Sequence, residues 1–425
     1  MNLTKPFQGL KAQIGTFGRS TRLFLLATIM DGILFSGWNL FFNFYILGRG
    51  FERDYLGLVN AMPSIAALIF GIPLGALSDR IGRKNAMLLG VAVSIGGMAF
   101  EVTVMDPTLI LVFAFIQGLG STLYYLSQAP FMMKVSDDDN RALLFSLNWG
   151  LVTLASAVGS LFAGQLPAVF GELLEVAPRS AEAYQAVLLV SVLLSFLTLI
   201  PLVLIREPKD DPEDGLTAQA RVPLWRVVLR PLTLKLAFPN LLIGFGAAIL
   251  IPYMNVFFVE RYQLPDSELG VLFSLSALLT ALGTVVGPRL AVRLGSKIKA
   301  VVSTQSVSLF FLMLLGFSPY LLLAEIGFLM RGMLMNMAAP LYSAYAMEQT
   351  PARERGTVNS VVELSWRVGW AVGPYISGVV QESYGFTPLF LATAVLYALS
   401  IILTWVFFHD AEEVSVGEVA VEVEE

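Results

Sequence analysis

The segment Gly75-Ala-Leu-Ser-Asp-Arg-Ile-Gly-Arg-Lys84 decides the fold, because it places three basic residues, one acid and two glycines between two long apolar runs. A helix needs about 20 apolar residues to cross the hydrocarbon layer of a bilayer. The runs on both sides of this segment have that length. The segment is therefore predicted to be a short polar loop that joins two membrane helices.

The composition supports a membrane protein over the whole chain. Of 425 residues, 56% are hydrophobic and only 14% are charged, which is typical of a protein whose solvent is lipid. Backbone polar groups must be paired inside a membrane, so apolar runs of this length are predicted to be helices. Twelve spans are predicted, at residues 21–47, 55–77, 86–105, 109–133, 142–170, 184–205, 235–258, 267–290, 299–316, 320–347, 356–381 and 386–408.

The distribution of basic residues predicts the orientation. All but six of the 27 Lys and Arg lie in loops and ends on one side of the predicted spans. Basic loops face the cytoplasm in most membrane proteins. We expect a multi-pass protein of the cell inner (cytoplasmic) membrane, with both termini cytoplasmic and no cleaved signal peptide.

An internal duplication divides the chain. Residues 141–164 align without a gap with residues 355–378, at an offset of 214. Arg80-Ile-Gly82 likewise aligns with Arg293-Leu-Gly295. We predict an all-α membrane protein with twelve transmembrane helices in two pseudo-symmetric six-helix bundles. The predicted parts are an N-terminal bundle at 1–205, a cytoplasmic linker with an amphipathic segment at 206–234, a C-terminal bundle at 235–408 and an acidic tail at 409–425.

The pattern G-x-L-x-D-R-x-G-R-K at residues 75–84 resembles the signature loop of the major facilitator superfamily, a group of twelve-helix secondary transporters. The resemblance implies transport by alternating access, with a site between the halves that opens to each side in turn. It also implies that the acid stabilises one state by approaching the start of the eleventh helix, here near residues 354–358. The gating residues predicted from this loop are Gly75, Asp79, Arg80, Gly82, Arg83 and Lys84.

A second gating motif is predicted at Gly373 and Pro374. Gly369-Trp-Ala-Val-Gly373-Pro374 is similar to a motif of drug/proton antiporters in the same family, although it lies in the eleventh span rather than the fifth. Small residues at this spacing also let membrane helices pack closely whatever the protein does, so both interpretations remain open. The arginine that these antiporters carry in the fourth span is replaced here by Ala114.

Charged residues deep in predicted spans are the main candidates for a transport site, because such charges are costly unless they are paired or functional. Asp31, Arg331 and Arg367 each lie about ten residues into a span, near mid-depth. Asp31 is predicted to bind the coupling proton; the alternative is a structural carboxylate bonded to Asn148 or Gln117. Arg331 aligns with Gln117 in the repeat and is predicted to act with Asp31.

Glu363 and Arg367 are four residues apart, a spacing that favours an ion pair on one helix face. Either this pair is a buried structural brace, or Glu363 also contacts Arg331 and holds it ready for an anionic substrate. Glu101 and Glu325 lie nearer the outer ends of their spans and are expected at the interface, with a role in proton entry left open. Asn39, Gln117, Asn148 and Asn336 complete the predicted cavity residues.

The residue content also excludes several kinds of chemistry. The chain has no cysteine and one histidine, so neither a disulfide nor a His/Cys metal site is expected. Common catalytic motifs are absent from the sequence, and we expect neither an enzyme nor a cofactor. No nucleic-acid partner is expected.

The function predicted from these features is proton-coupled export of an amphipathic or lipophilic small molecule by a monomer in the bilayer. Aromatic and methionine side chains along the spans favour such a substrate. A flippase or importer of a lipid or lysolipid is the alternative transport function. A membrane receptor without transport activity is the alternative from another class.

Overall fold

A computed structural model describes residues 17–206, 227–351 and 354–409, apart from the side chains of residues 138, 139 and 142. Within these residues the chain is helical and contains no β-strand. The predicted linker at 206–234 lies mostly outside the described residues, and so does the acidic tail at 409–425, except for its first residue.

The first half of the described chain contains eight α-helices. They are α1 (Arg19–Gly48), α2 (Arg53–Ile81), α3 (Arg83–Thr103), α4 (Pro107–Lys134), α5 (Asp138–Ala163), α6 (Leu166–Leu173), α7 (Ala181–Ser195) and α8 (Leu199–Leu204). Side chains cap two of their starts: Asp106 accepts a hydrogen bond from the backbone of Leu109, and Ser180 accepts one from Ala183.

The second half of the described chain contains seven α-helices. They are α9 (Pro231–Ala248), α10 (Met254–Tyr262), α11 (Asp266–Leu294), α12 (Lys297–Phe317), α13 (Leu321–Glu348), α14 (Arg355–Tyr384) and α15 (Thr387–Phe408). A 3-10 turn, Ile251–Tyr253, joins α9 to α10 in one continuous span.

Eleven spans in the described part of the chain are long and apolar enough to cross a membrane. The remaining long helix, α14, has 30 residues but is less apolar because it carries Glu363 and Arg367 in its middle. With α14 the spans number twelve. The predicted fold class, an all-α membrane protein with twelve transmembrane helices, is confirmed.

The described residues form two compact units. The first contains residues 17–45 and 65–206, and the second contains residues 46–64, 227–351 and 354–409. One helix, α2, therefore contributes its first turns to the second unit and the rest to the first. The predicted bundle at 1–205 did not anticipate this sharing, which comes from close contacts of α2 described below; the predicted domain limits stay a prediction.

Glycines allow close packing between equivalent pairs of helices in the two units. In the first unit, a Cβ at Gly120 of α4 would lie 2.4 Å from the α3 backbone, and one at Gly159 of α5 would lie 2.3 Å from the α1 backbone. In the second, a Cβ at Gly327 of α13 would lie 2.7 Å from the α12 backbone, and one at Gly369 of α14 would lie 2.4 Å from the α9 backbone. Such contacts let membrane helices approach closely.

The turn between α2 and α3 has a counterpart between α11 and α12. Gly82 has φ 85° and Gly295 has φ 64°, so both adopt positive φ values that L-residues with a side chain rarely adopt. These two glycines are paired in the sequence repeat. The same requirement explains glycine at both positions, because the chain reverses direction there within one or two residues.

Candidate functional site

The signature turn, residues 75–84, is anchored inside the first unit. Asp79 in the last turn of α2 forms an ion pair with Arg83 at the start of α3. The Arg83 guanidinium also donates to the Ser78 hydroxyl over 3.0 Å, and that hydroxyl is hydrogen-bonded to Ser127 of α4 over 2.8 Å. Lys84 donates to a backbone carbonyl of α8 over 2.7 Å. The turn is thereby connected to α4 and α8.

Other residues of the signature turn have looser surroundings. A Cβ at Gly75 would meet no atom within 4 Å, so packing does not require a glycine there. The Arg80 side chain is exposed. Within its own unit, the Asp79 carboxylate is paired with Arg83. The approach of Asp79 to the start of α14 stays a prediction.

The second unit has its own ion pairs at the equivalent end. Lys297, the repeat partner of Lys84, pairs with Glu348 at the end of α13. Arg230 at the start of α9 pairs with Glu354 just before α14, and the Glu354 side chain is only 10% exposed. These pairs connect α12 to α13 and α9 to α14 within the second unit.

A polar cluster lies between α1, α4 and α5 in the first unit. The Tyr125 hydroxyl donates to the Asp31 carboxylate. One turn before Asp31, the Thr28 hydroxyl donates to the side-chain oxygen of Asn148 over 2.8 Å. The amide of Asn148 in turn donates to Gln128 over 3.4 Å. We call Asp31, Thr28, Tyr125, Gln128 and Asn148 the first-unit polar cluster.

Aromatic rings border this cluster. The ring centroids of Tyr124 and Tyr125 are 5.2 Å apart. The Tyr124 hydroxyl is buried next to Gln128, without a hydrogen bond of acceptable geometry among the described residues. Asp31 has no ion-pair partner in the described part of its own unit. The cluster thus combines one carboxylate, amides and aromatic faces.

Four predicted cavity residues have other surroundings than expected. Neither expected partner, Asn148 or Gln117, is the one observed, because Asn148 is bonded to Thr28. Gln117 packs against Gly97 of α3 and is 7% exposed. Asn39 is exposed, and Asn336 donates to the carbonyl one turn earlier in its own helix over 2.9 Å. Thr28 was not predicted, although it precedes Asp31 by three residues and so shares its helix face.

In the second unit, Glu363 and Arg367 form an ion pair of 3.4 Å, and their side chains are 59% and 39% exposed. The ion pair exists, but it is exposed, so the prediction that it is buried is wrong. Glu363 is not among the partners of Arg331 either. Arg331 donates to the Tyr397 hydroxyl of α15 over 3.3 Å, and its backbone carbonyl accepts from Ser308 of α12 over 3.3 Å. Arg331 faces α12 and α15, and not α14.

The predicted gating motif on α14 packs against α9 and its 3-10 turn. A Cβ at Gly373 would lie 2.7 Å from the side chain of Ala248. The carbonyl of Pro374 accepts a hydrogen bond of 2.7 Å from the Tyr253 hydroxyl. Close helix packing, which the sequence left open as an alternative, accounts for the glycine at 373.

The opposite end of α14 holds the first turns of α2. Arg53 forms an ion pair of 2.6 Å with Glu260 of α10 and one of 3.8 Å with Glu382 of α14. Its guanidinium also donates to Gln381 over 3.4 Å. A Cβ at Gly378 would lie 2.1 Å from the Arg53 carbonyl oxygen. We call Arg53, Glu260, Gln381 and Glu382 the Arg53 cluster.

The same contact continues one turn further along α2. A Cβ at Gly57 would lie 2.3 Å from the Pro374 carbonyl oxygen. The two helix backbones are therefore in direct contact over this length. Arg53 is one of the six basic residues that do not lie on the predicted cytoplasmic side, and its partners are distant in the chain.

Of the two remaining acids, Glu101 is buried and Glu325 is not. Glu101 near the end of α3 is 3% exposed, and its Oε1 has no hydrogen-bond partner among the described residues. Its helix end is covered within the first unit, and its interfacial position stays a prediction. Glu325 is partly exposed and lies close to another acid, Glu268.

No group of three or more His, Cys, Asp or Glu side chains suited to a metal ion occurs in residues 17–206, 227–351 and 354–409. The chemistry available in each unit is ion pairing, hydrogen bonding and proton binding at carboxylates. A repeated, membrane-spanning fold with charged groups inside its spans is typical of secondary transporters.

Comparisons with known proteins give the family. The sequence model of the Major Facilitator Superfamily matches residues 24–374, and a second match covers residues 326–423. The chain belongs to this superfamily of secondary transporters, as its signature turn predicted.

Two relatives and one solved structure are similar to this chain over different lengths. An uncharacterized MFS-type transporter of Methanocaldococcus jannaschii is 31% identical over 151 residues, 32% of this chain and 37% of the relative. The synaptic vesicular amine transporter of Bos taurus is 24% identical over 340 residues, 79% of this chain and 62% of the relative. The chain thus spans less than two thirds of either relative.

A bacterial homolog of the human lysosomal transporter Spinster, crystallised inward-facing and unoccupied, superposes with a TM-score of 0.71. It is 17% identical, and the superposition covers 93% of this chain and 95% of that one. At this identity the likeness concerns the fold alone.

Proposed function

We propose that this chain exports an amphipathic organic cation in exchange for protons. The observation that carries the proposal is the first-unit polar cluster, in which Asp31 is bonded to Tyr125 and has no cation partner in the described part of its own unit. A carboxylate beside aromatic faces suits an ammonium group, because the rings attract cations and the acid neutralises them. The relative from Bos taurus is a synaptic vesicular amine transporter, which is consistent with this substrate class.

Exchange follows from competition for one carboxylate. A buried carboxylate is costly in its charged form unless a cation or a proton neutralises it. If Asp31 holds either a substrate cation or a proton, the protein changes state with one of them bound, and the two move in opposite directions. The Tyr125 hydroxyl keeps the carboxylate oriented in the absence of either.

Alternating access supplies the movement between states. The first turns of α2 are held to α14 and α10 by the Arg53 cluster and by the contacts at Gly57 and Gly378. We propose that these turns are released when the outer side opens, while Asp79 and the signature turn act at the cytoplasmic side. The exposed pair Glu363 and Arg367 lies on α14, near its middle, and is proposed to face the water-filled path.

The proposal includes the cellular setting expected from the sequence: the inner membrane, both termini in the cytoplasm, and a monomer as the working unit. The excess of basic residues on one side supports the orientation.

The test is transport by the full chain in liposomes with methyltriphenylphosphonium as the probe. We expect the wild type to accumulate this cation under an imposed pH gradient. Asp31→Asn keeps the shape of the side chain but cannot carry a proton. It should lose gradient-driven accumulation completely and retain downhill exchange of the labelled cation. Tyr125→Phe should reduce accumulation less, because the carboxylate remains.

Glu172→Gln is the matched control, since it neutralises an exposed acid near the end of the short helix α6 and should transport as the wild type does. Wild-type rates in Asp31→Asn would exclude Asp31 as the coupling site. Transport of a lysolipid without transport of the cation would favour the flippase alternative. Saturable binding of a ligand with no flux of either kind would favour a receptor.

A further inference from the structure

Arg331 is a buried cation whose charge is not balanced by any acid in the described part of the chain. Its residue is 6% exposed, and it lies in the middle of α13. Nη2 donates to the Tyr397 hydroxyl over 3.3 Å, while Nε is buried without a hydrogen-bond partner. An arginine does not lose its proton inside a protein, so the charge stays.

Five acids of the second unit pair with other cations. In the described residues, Glu348 pairs with Lys297, Glu354 with Arg230 and Glu363 with Arg367. Glu260 and Glu382 both pair with Arg53. Glu325, on the same helix as Arg331, lies next to Glu268 instead.

Two neighbouring helices contact Arg331. Ser308 of α12 is fully buried and donates to the Arg331 carbonyl. Tyr397 of α15 is 1% exposed; its hydroxyl accepts from Arg331 and keeps its own O–H to donate. The guanidinium and the Tyr397 hydroxyl therefore present N–H and O–H donors at one buried place.

The repeat provides an internal comparison. Arg331 aligns with Gln117, which packs against Gly97 of α3 in the first unit. The first unit therefore fills the same position with a neutral amide of similar length. Packing does not explain a cation at 331.

We propose that Arg331, with the Tyr397 hydroxyl, forms a binding site for a small monovalent anion of the size of chloride within the second unit. A buried cation needs a counter-charge, and the unpartnered Nε–H of Arg331 and the O–H of Tyr397 are donors, which suit an anion rather than a metal ion. The site would join α13 to α15.

The test is thermal unfolding of the full chain in detergent, in sodium chloride and in sodium gluconate at equal ionic strength. Binding to the folded state raises Tm as the ligand concentration rises. We expect a saturable rise in wild-type Tm with chloride. Arg331→Gln gives this position the side chain of Gln117, its repeat partner in the first unit. This variant should lose the rise in Tm. Arg293→Gln removes an exposed cation of the same unit and should retain it.

An equal Tm of the wild type in the two salts would overturn the proposal, as would an undiminished chloride effect in Arg331→Gln. Should Arg331→Gln fail to fold, Tyr397→Phe keeps the ring and removes the hydroxyl. Its half-saturating chloride concentration should rise, and an unchanged value would count against the site. In crystals grown with bromide, an anomalous peak beside the Arg331 guanidinium is expected, and bromide crystals without that peak would also overturn the proposal.

Discussion

Gly378→Ala should release the first turns of α2 from α14. The added Cβ would lie 2.1 Å from the Arg53 carbonyl oxygen, whereas ordinary contacts begin at 3.4 Å. The two backbones must therefore separate by 3.4 − 2.1 = 1.3 Å. The atom in the way is a backbone oxygen of a helix, which cannot move aside as the end of a flexible side chain can.

The magnitude follows from two contributions. Overpacking of this kind costs about 1–3 kcal/mol. The ion pairs of Arg53 with Glu260 and Glu382 weaken as the helices part, but these carboxylates are 40% and 48% exposed, so each pair is worth about 0–1 kcal/mol. A total of about 2 kcal/mol shifts the equilibrium toward release by a factor of about 30.

The assay uses the absence of native cysteine, which makes a single introduced thiol a unique label. Ala61 is fully buried and lies one turn after Gly57 on the same face of α2. We expect Ala61→Cys to react with a membrane-impermeant maleimide about 30 times faster when Gly378→Ala is added. Gly356→Ala is the control on the same helix, because a Cβ there meets no atom within 4 Å. Equal labelling rates in the Gly378→Ala and Gly356→Ala proteins would refute the reasoning.

Two further predictions concern the turns and the exposed ion pair. Gly82 has φ 85° and ψ 151°, a region adopted almost only by glycine, whereas Gly295 has φ 64° and ψ 15°, which asparagine also adopts. Gly82→Asn should therefore lower stability by about 1–3 kcal/mol and Gly295→Asn by less, as measured by thermal unfolding; equal losses would contradict the backbone argument. Glu363→Gln should cost only about 0–1 kcal/mol, because its pair with Arg367 is exposed; a loss above about 3 kcal/mol would indicate a buried pair.

Shared use of α2 has a mechanical consequence under the proposed function. The helix is continuous from Arg53 to Ile81, with its first turns in the second unit and its last turns in the first. The signature turn and the Arg53 cluster lie at its two ends. If alternating access operates as proposed, a movement that releases one end of α2 would act on the same helix that carries the other end.

The sequence by itself determined the class of fold and the family. Apolar run lengths and backbone pairing in lipid leave helices as the solution for such spans, and the repeat predicted that Gly82 and Gly295 occupy equivalent turns. The positions of Asp31, Arg331 and Arg367 along their helices also followed from the sequence, because the limits of the apolar runs fix where each helix begins.

Only the tertiary structure decided which way these side chains face and what they contact. Arg331 faces Tyr397 and not Glu363, and Asp31 is bonded to Tyr125 and not to Asn148. The direction of a side chain around its helix matters only relative to the neighbouring helices, and their packing is set by contacts between residues far apart in the chain. The Arg53 cluster is the clearest case, since its ion pairs join Arg53 to residues more than two hundred positions later.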